Sequence, residues 1–362
     1  MAHWEYTETE LWRHGEQGIS LYHVFGTVAT ESAVLVFAEA RSGDGSDDRC
    51  PHHIQMRRST DGGKTFSDDI CLIPSGGNHC WTNPVPLYDR QIKRLFLFYS
   101  DNLQNVKTEN YLIYSDDDGL TWSRPRHINP ILEAAENSPP FHLAGPGHGI
   151  QLRNDPKPGR LVMPFWHRYK GTDVPKEQRG YCVSVLLSDD HGASWTRTEA
   201  VGFASLSNES GIAETGKGLI RIIRVMDSIP CISHSTDGGT TWSEPQPSSL
   251  PSAAVCDLGV LQVRGKEDFS DMVLVSRISH PDRRHNMEIR ISYDGGDHFD
   301  DTLLLMPGDA MPAYSDLCLM EEEEPVVGLL HCRNNHILFS RISLQTLTHG
   351  KYENTTRTVW LK

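Results

Sequence analysis

The chain has 362 residues, 38% of them hydrophobic and 23% charged, with a net charge of −14. That is the make-up of a globular domain, and its acidity argues against nucleic acid or an anionic membrane surface as a general partner. No run of about 18 apolar residues occurs, so no membrane span is expected.

The opening stretch MAHWEYTETELWRHGEQG is polar and lacks the apolar heart of a secretion signal, which makes the cytoplasm the expected location. Strand-like runs then follow one another: AVLVFAEA (33–40), RLFLFYS (94–100), YLIYS (111–115), GRLVMPFW (159–166), CVSVLLS (182–188), GLIRIIRV (218–225), DMVLVS (271–276), MEIRIS (287–292) and PVVGLLHC (325–332). Apolar and β-branched segments cut by Gly, Pro and Asp turns indicate an all-β chain, and no long amphipathic pattern suggests a helix. EEEE (321–324) reads as a solvated loop between strands.

Between these runs one turn recurs five times: Ser59–Phe66, Ser115–Trp122, Ser188–Trp195, Ser235–Trp242 and Ser292–Phe299. Its pattern is Ser-x-Asp-x-Gly-x-(Thr/Ser)-(Trp/Phe), loosest in the last copy, where His298 takes the Thr place. The Asp can accept hydrogen bonds from nearby amides, the Gly permits a positive φ, and the aromatic anchors the turn on neighbouring strands. The first Ser of successive copies is separated by 56, 73, 47 and 57 residues. That spacing suits one four-stranded sheet per repeat arranged around an axis. Five marked repeats and one unmarked repeat predict a six-bladed β-propeller that uses 1–362 as a single domain.

Eight cysteines (Cys50, Cys71, Cys80, Cys182, Cys231, Cys256, Cys318 and Cys332) lack paired spacing and read as reduced thiols, most of them core fillers. Neither PHHIQ (51–55) nor HPDRRH (280–285) has zinc-ligand spacing, and GPGHG (145–149) lacks the Lys-Ser/Thr ending of a phosphate loop. No metal and no cofactor are expected.

The repeated turn is the Asp box, and the chain resembles the sialidase (neuraminidase) superfamily. Asp boxes occur on unrelated propellers, so FAEAR (37–41), RRSTDGGKTF (57–66), AGPGHGIQL (144–152) and GRLVMP (159–164) carry the resemblance more strongly, in the family's order. It extends from about Tyr22 to His331. The activity it implies is hydrolysis of a terminal acidic sugar with retention. The scissile carbon of such a sugar bears a carboxylate, so a neutral tyrosine hydroxyl activated by a Glu serves as nucleophile where an Asp or Glu would be repelled. A separate carboxylic acid protonates the leaving oxygen, and arginines hold the substrate carboxylate.

By this resemblance Tyr314, in AMPAYSDLCL, is the nucleophile and Glu209 its activator, with Glu214 as the fallback. Arg224 and Arg284 bind the carboxylate, with Arg283 adjacent to the second. Asp48 is the acid among Asp44, Asp47 and Asp48, and Arg41 contacts ring substituents. Trp81 and Asn83 line the pocket or support the fold. One position departs from the pattern: His23, in YHVF, stands where the family has its first carboxylate-binding arginine. Cys332, in GLLHC, stands where a Glu often supports that arginine. Three readings follow: His23 as a protonatable substitute, a different 2-keto-3-deoxy sugar acid or other glycon, or a non-catalytic glycan-binding propeller. Retention of the other residues favours an enzyme of altered glycon specificity.

Overall fold

In the computed structural model, which describes residues 5–45, 48–134, 138–154, 156–169, 180–263, 271–306, 311–320 and 325–351, the strand-like runs pair into six sheets. The first sheet orders Leu21–Ala29, Val34–Arg41, His52–Ser59 and Ile70–Ile73, each antiparallel to the next. The second orders Trp81–Asp89, Arg94–Leu103, Lys107–Ser115 and Arg126–His127. In the third, His142–Ala144 and Ile150–Gln151 form the innermost row against Leu161–Tyr169, followed by Gly180–Ser188 and Thr196–Arg197. The fourth holds Ser210–Thr215, Gly218–Ile223, Cys231–Ser235 and Gln246–Pro247, and the fifth Gly259–Val263, Met272–Ile278, Met287–Ser292 and Asp301–Met306. Together with the sixth they make the expected six-bladed propeller.

The blades adhere through apolar layers. Leu35 and Phe37 of the first blade pack with Leu95 and Leu97 of the second, and Phe98 of the second with Phe165 of the third. Every residue of Val34–Arg41 is buried, because a central strand is covered by a neighbouring blade on each face. That two-sided cover explains why these runs read as nearly continuous apolar stretches. Near the axis the innermost strands converge so tightly that a Cβ on Gly26 would lie 2.4 Å from Pro84 O.

The repeated turns close as their pattern implies. In the fourth, Ser235 Oγ donates to Asp237 Oδ1 (2.8 Å), Asp237 Oδ1 accepts from Thr241 N (3.0 Å), and Oδ2 accepts from Thr241 Oγ1 (2.7 Å). In the fifth, the His298 ring replaces the hydroxyl, with Nδ1 2.7 Å from Asp294 Oδ2. The turns also fasten blades. A Cβ on Gly119 would strike Leu35 of the preceding blade at 2.4 Å, and one on Gly192 would strike Phe96 at 2.3 Å.

The unmarked sixth blade has a topological cause. It orders Ser315–Met320, Val326–Arg333 and His336–Ser343, and its fourth strand is Tyr6–Arg13 from the start of the chain. Elsewhere the Asp box joins the third strand to the fourth, a connection that this blade does not need. Register runs from Tyr6 opposite Ile342 to Arg13 opposite His336, and Arg341 Nε donates to Glu5 Oε1 at 2.7 Å. Tyr6–Arg13, within the polar opening stretch, is thus the strand that closes the ring.

Candidate active site

The predicted residues gather at one end of the axis. His23 lies near the start of its innermost strand, Glu209 immediately precedes Ser210–Thr215, and Tyr314 immediately precedes Ser315–Met320. Arg224 directly follows Gly218–Ile223, and Arg284 sits in the loop between Met272–Ile278 and Met287–Ser292. Innermost strands begin and second strands end at this mouth, so residues far apart in sequence face one another there. The Asp boxes, joining third to fourth strands, lie at the other end.

At the centre Tyr314 Oη donates to Glu209 Oε1 at 2.5 Å and accepts from Arg224 Nη1 at 2.9 Å. Arg224 Nη1 also donates to Glu209 Oε2. Burial, followed by the charge of Glu209, holds the Tyr314 phenol well above its usual range, so the resting group is neutral. The same carboxylate is placed to take the proton, and the guanidinium to stabilise the phenolate. Arg284 lies 5.8 Å from the Tyr314 ring centroid, whereas Arg283 is exposed; Arg284 is the one that joins the cluster.

The His23 ring stands 4.4 Å from that of Tyr314, centroid to centroid. Burial, then Arg41 and Arg284, push its imidazole well below the ordinary histidine range. Burial and neighbouring guanidiniums thus both weigh against a charged imidazole in the ligand-free site. A bulge between His23 and Phe25 puts Val24 at φ 47°, a costly conformation for a β-branched residue, beside the site. Cys332 is buried near Arg284, and burial pushes its thiol up to about 11. Arg224 pairs with Glu209, whereas Arg284, over the Tyr314 ring, makes no ion pair among the described residues, which leaves its charge for an anionic ligand.

Asp257 is a member of the cluster that sequence reasoning missed. It is 3% exposed, and burial followed by the charge of Glu209 raises its carboxyl well above the ordinary range. It stands two residues before Gly259–Val263, the strand-start position that also holds His23, Glu209 and Tyr314 on other blades. That position could have flagged it.

Asp48 lies in the loop after Val34–Arg41, with its side chain 58% exposed and Oδ1 2.6 Å from Arg41 Nη1. Asp44 is exposed, and Asp47 and the 321–324 run lie outside the described residues. Glu214 is excluded as the activator. It is five residues along the strand from Glu209, roughly 16 Å at strand rise, and accepts from Arg153 N and Asn154 N at 2.9 Å. It lines a cavity of about 730 Å³ at the Asp-box end, whose other walls include Thr60, Asp61, His148 and Met320. Asn83 supports the fold: its N donates to Glu39 Oε1 (2.9 Å) and its Nδ2 to Ala144 O (2.7 Å). Trp81 packs on Tyr99 and Tyr111.

Residues 33–332 match the family described as BNR repeat-like domain. A sialidase of Micromonospora viridifaciens is 27% identical over 94% of this chain and 54% of its own length. A sialidase of Bacteroides fragilis is 25% identical over 92% of this chain and 64% of its own. The chain thus spans between about half and two thirds of these relatives. Among solved structures, Hadza microbial sialidase Hz136 superposes with a TM-score of 0.79 at 26% identity, covering 92% of this chain and 68% of that one. A leech intramolecular trans-sialidase, solved with 2,7-anhydro-Neu5Ac, also has a TM-score of 0.79 at 17% identity, covering 96% and 71%. At that identity the second likeness speaks for the fold alone.

Proposed function

Because the chain belongs to the BNR repeat-like family within the sialidase superfamily, we propose that it is a retaining exo-glycosidase acting on a terminal sialic acid or a related 2-keto-3-deoxy sugar acid. The observation that carries this reading is the Tyr314–Glu209–Arg224 cluster, a phenol bonded at 2.5 Å to a carboxylate with one guanidinium charge to spare beside it. A glycan-binding module has no use for a phenol bonded to a base. A sugar acid supplies the anion that the surplus charge lacks.

In the proposed reaction Arg224 and Arg284 hold the substrate carboxylate. Tyr314 passes its proton to Glu209 and attacks the anomeric carbon, while Asp48 protonates the departing oxygen. Arg224 offsets the charge that develops on the phenolate. In the second half Asp48 takes a proton from water, which attacks the anomeric carbon; the bond to Tyr314 breaks, and Glu209 returns the proton. Neutral His23, against the Tyr314 ring, accommodates a glycon through contact or a single hydrogen bond instead of through charge. Its presence, with Cys332 in place of an acid, supports a glycon or carboxylate pose other than one fixed by three arginines.

The test is release of phenol from aryl ketosides of several nonulosonic and octulosonic acids. Wild-type protein should turn over at least one of them, and Tyr314→Phe should lose about a thousandfold or more in kcat. Undiminished turnover by Tyr314→Phe would remove the nucleophile assignment. Binding without release for every ketoside would leave a glycan-binding propeller. Turnover indifferent to Arg224→Ala would mean a glycon without the carboxylate.

A further inference from the structure

The geometry points to Arg41 as the residue that positions the acid, linking Asp48 to a buried anchor at Glu39, rather than as a contact to the sugar ring. The inference rests on the acid role proposed for Asp48. Arg41 Nε and Nη2 both donate to Glu39 Oε2 (3.0 and 2.7 Å), and Nη1 donates to Asp48 Oδ1 (2.6 Å) and, at 3.4 Å, to Gly45 O. The Arg41 side chain is only 6% exposed, and most of its five donors are committed to protein acceptors. Glu39 is itself held through both oxygens. It is fully buried, and its other oxygen accepts from Asn83 N (2.9 Å) and Thr82 Oγ1 of the second blade.

Asp48 needs such a support. Its side chain is more than half exposed on a loop, where the carboxyl torsion is broad and neither oxygen would be preferred. Its carbonyl oxygen accepts from Cys80 Sγ (2.9 Å) and Asn102 Nδ2 (3.1 Å), which fixes the backbone from the second blade. Arg41 fixes the side chain from the first. With Oδ1 held as an acceptor, Oδ2 has no hydrogen-bond partner among the described residues, and it becomes the oxygen that carries the proton. During cleavage Oδ2–H passes to the glycosidic oxygen as the carbon–oxygen bond breaks. The carboxylate left behind is stabilised by Arg41 until it takes a proton from the incoming water. The acid thus ends the cycle with the proton it began with.

The experiment compares aryl ketosides whose leaving phenols range from strongly to weakly acidic, because only poor leaving groups need the acid. Arg41→Lys keeps a charge for Glu39 but loses the fork that spans both carboxylates. General acid catalysis is worth about 10²–10⁴-fold. On that scale Arg41→Lys should lose roughly 10–100-fold in kcat for the poorest leaving group, and under about threefold for the best, with KM held within about threefold. The Arg41→Lys/Asp48→Asn double variant should be no slower than Asp48→Asn alone. Should Arg41→Lys fail to fold, the neutral pair Glu39→Gln/Arg41→Gln removes both charges together and should give the same leaving-group signature. A loss that is uniform across leaving groups and carried by KM would make Arg41 a sugar contact and overturn the inference, as would additive losses in the double variant. If wild-type protein releases no phenol from any ketoside, the proposed function itself falls, and this inference with it.

Discussion

Glu209→Gln probes the centre of the site because it keeps the shape of the side chain and removes only its charge. Two consequences are expected. Tyr314 loses the base 2.5 Å from its hydroxyl, and the loss of a general base costs about 10²–10⁴ in rate, or roughly 3–5 kcal/mol of barrier. The fold loses the carboxylate paired with Arg224, and a buried guanidinium stripped of its partner ordinarily costs about 3–5 kcal/mol. Here a replacement stands by. The Asp257 carboxyl is raised by burial and by the charge of Glu209, while Arg224 pulls it toward ionisation. Without that charge, Asp257 can ionise and offset part of the loss, so the single variant should cost only about 1–2 kcal/mol, and Glu209→Gln/Asp257→Asn about 3–5 kcal/mol.

The pH dependence follows from the same pair. A carboxyl whose folded pKa is raised contributes stability that is present below its unfolded value and is lost as pH rises through its folded one. Wild-type protein should therefore lose stability on moving from pH 4 toward neutrality and above, to the extent that Asp257 governs it. Glu209→Gln, whose Asp257 titrates lower, should lose less over that range, and variants carrying Asp257→Asn should lose none of this contribution. Urea unfolding at several pH values, alongside kcat on an aryl ketoside, measures both effects. Equal destabilisation by the single and double variants would refute the exchange between the two carboxyls, and full turnover by Glu209→Gln would refute the base.

Asp237→Ala removes the acceptor for Ser235 Oγ, Thr241 N and Thr241 Oγ1, at about 0.5–1.5 kcal/mol for each bond. Stability should fall by roughly 2–3 kcal/mol while kcat/KM changes less than about twofold, since the turn lies at the end remote from Tyr314. A catalytic defect in the folded variant would contradict that placement. Deleting residues 1–13 removes the fourth strand of the sixth blade, including buried Leu11 and Trp12. These two side chains bring about 3–6 kcal/mol by burial, against a total stability of about 5–15 kcal/mol. The truncated protein should unfold at a temperature many degrees lower, and an added peptide of residues 5–13 should recover part of the loss. Unchanged unfolding would show that the closing strand is dispensable.

The amino-acid sequence by itself determined the Asp boxes, because each is closed by bonds within eight residues: Ser235, Asp237 and Thr241 need no partner from another blade. It likewise determined the strands, whose apolar runs record burial on both faces, while the spacing of the boxes with one unmarked repeat set the number of blades. It brought Tyr314, Glu209, Arg224 and Arg284 into one hypothesis, but their spacing could not choose between Glu209 and Glu214. Tertiary structure made that choice by sending the two to opposite ends of one strand. It also set the direction in which His23 and Asp257 are shifted, since pKa depends on burial and on neighbours more than a hundred residues away in the chain as well as on near ones. The closing of the sixth blade by Tyr6–Arg13 was illegible for a related reason. A strand paired across the chain termini carries no local turn to announce it, and its outer position leaves much of it exposed and polar.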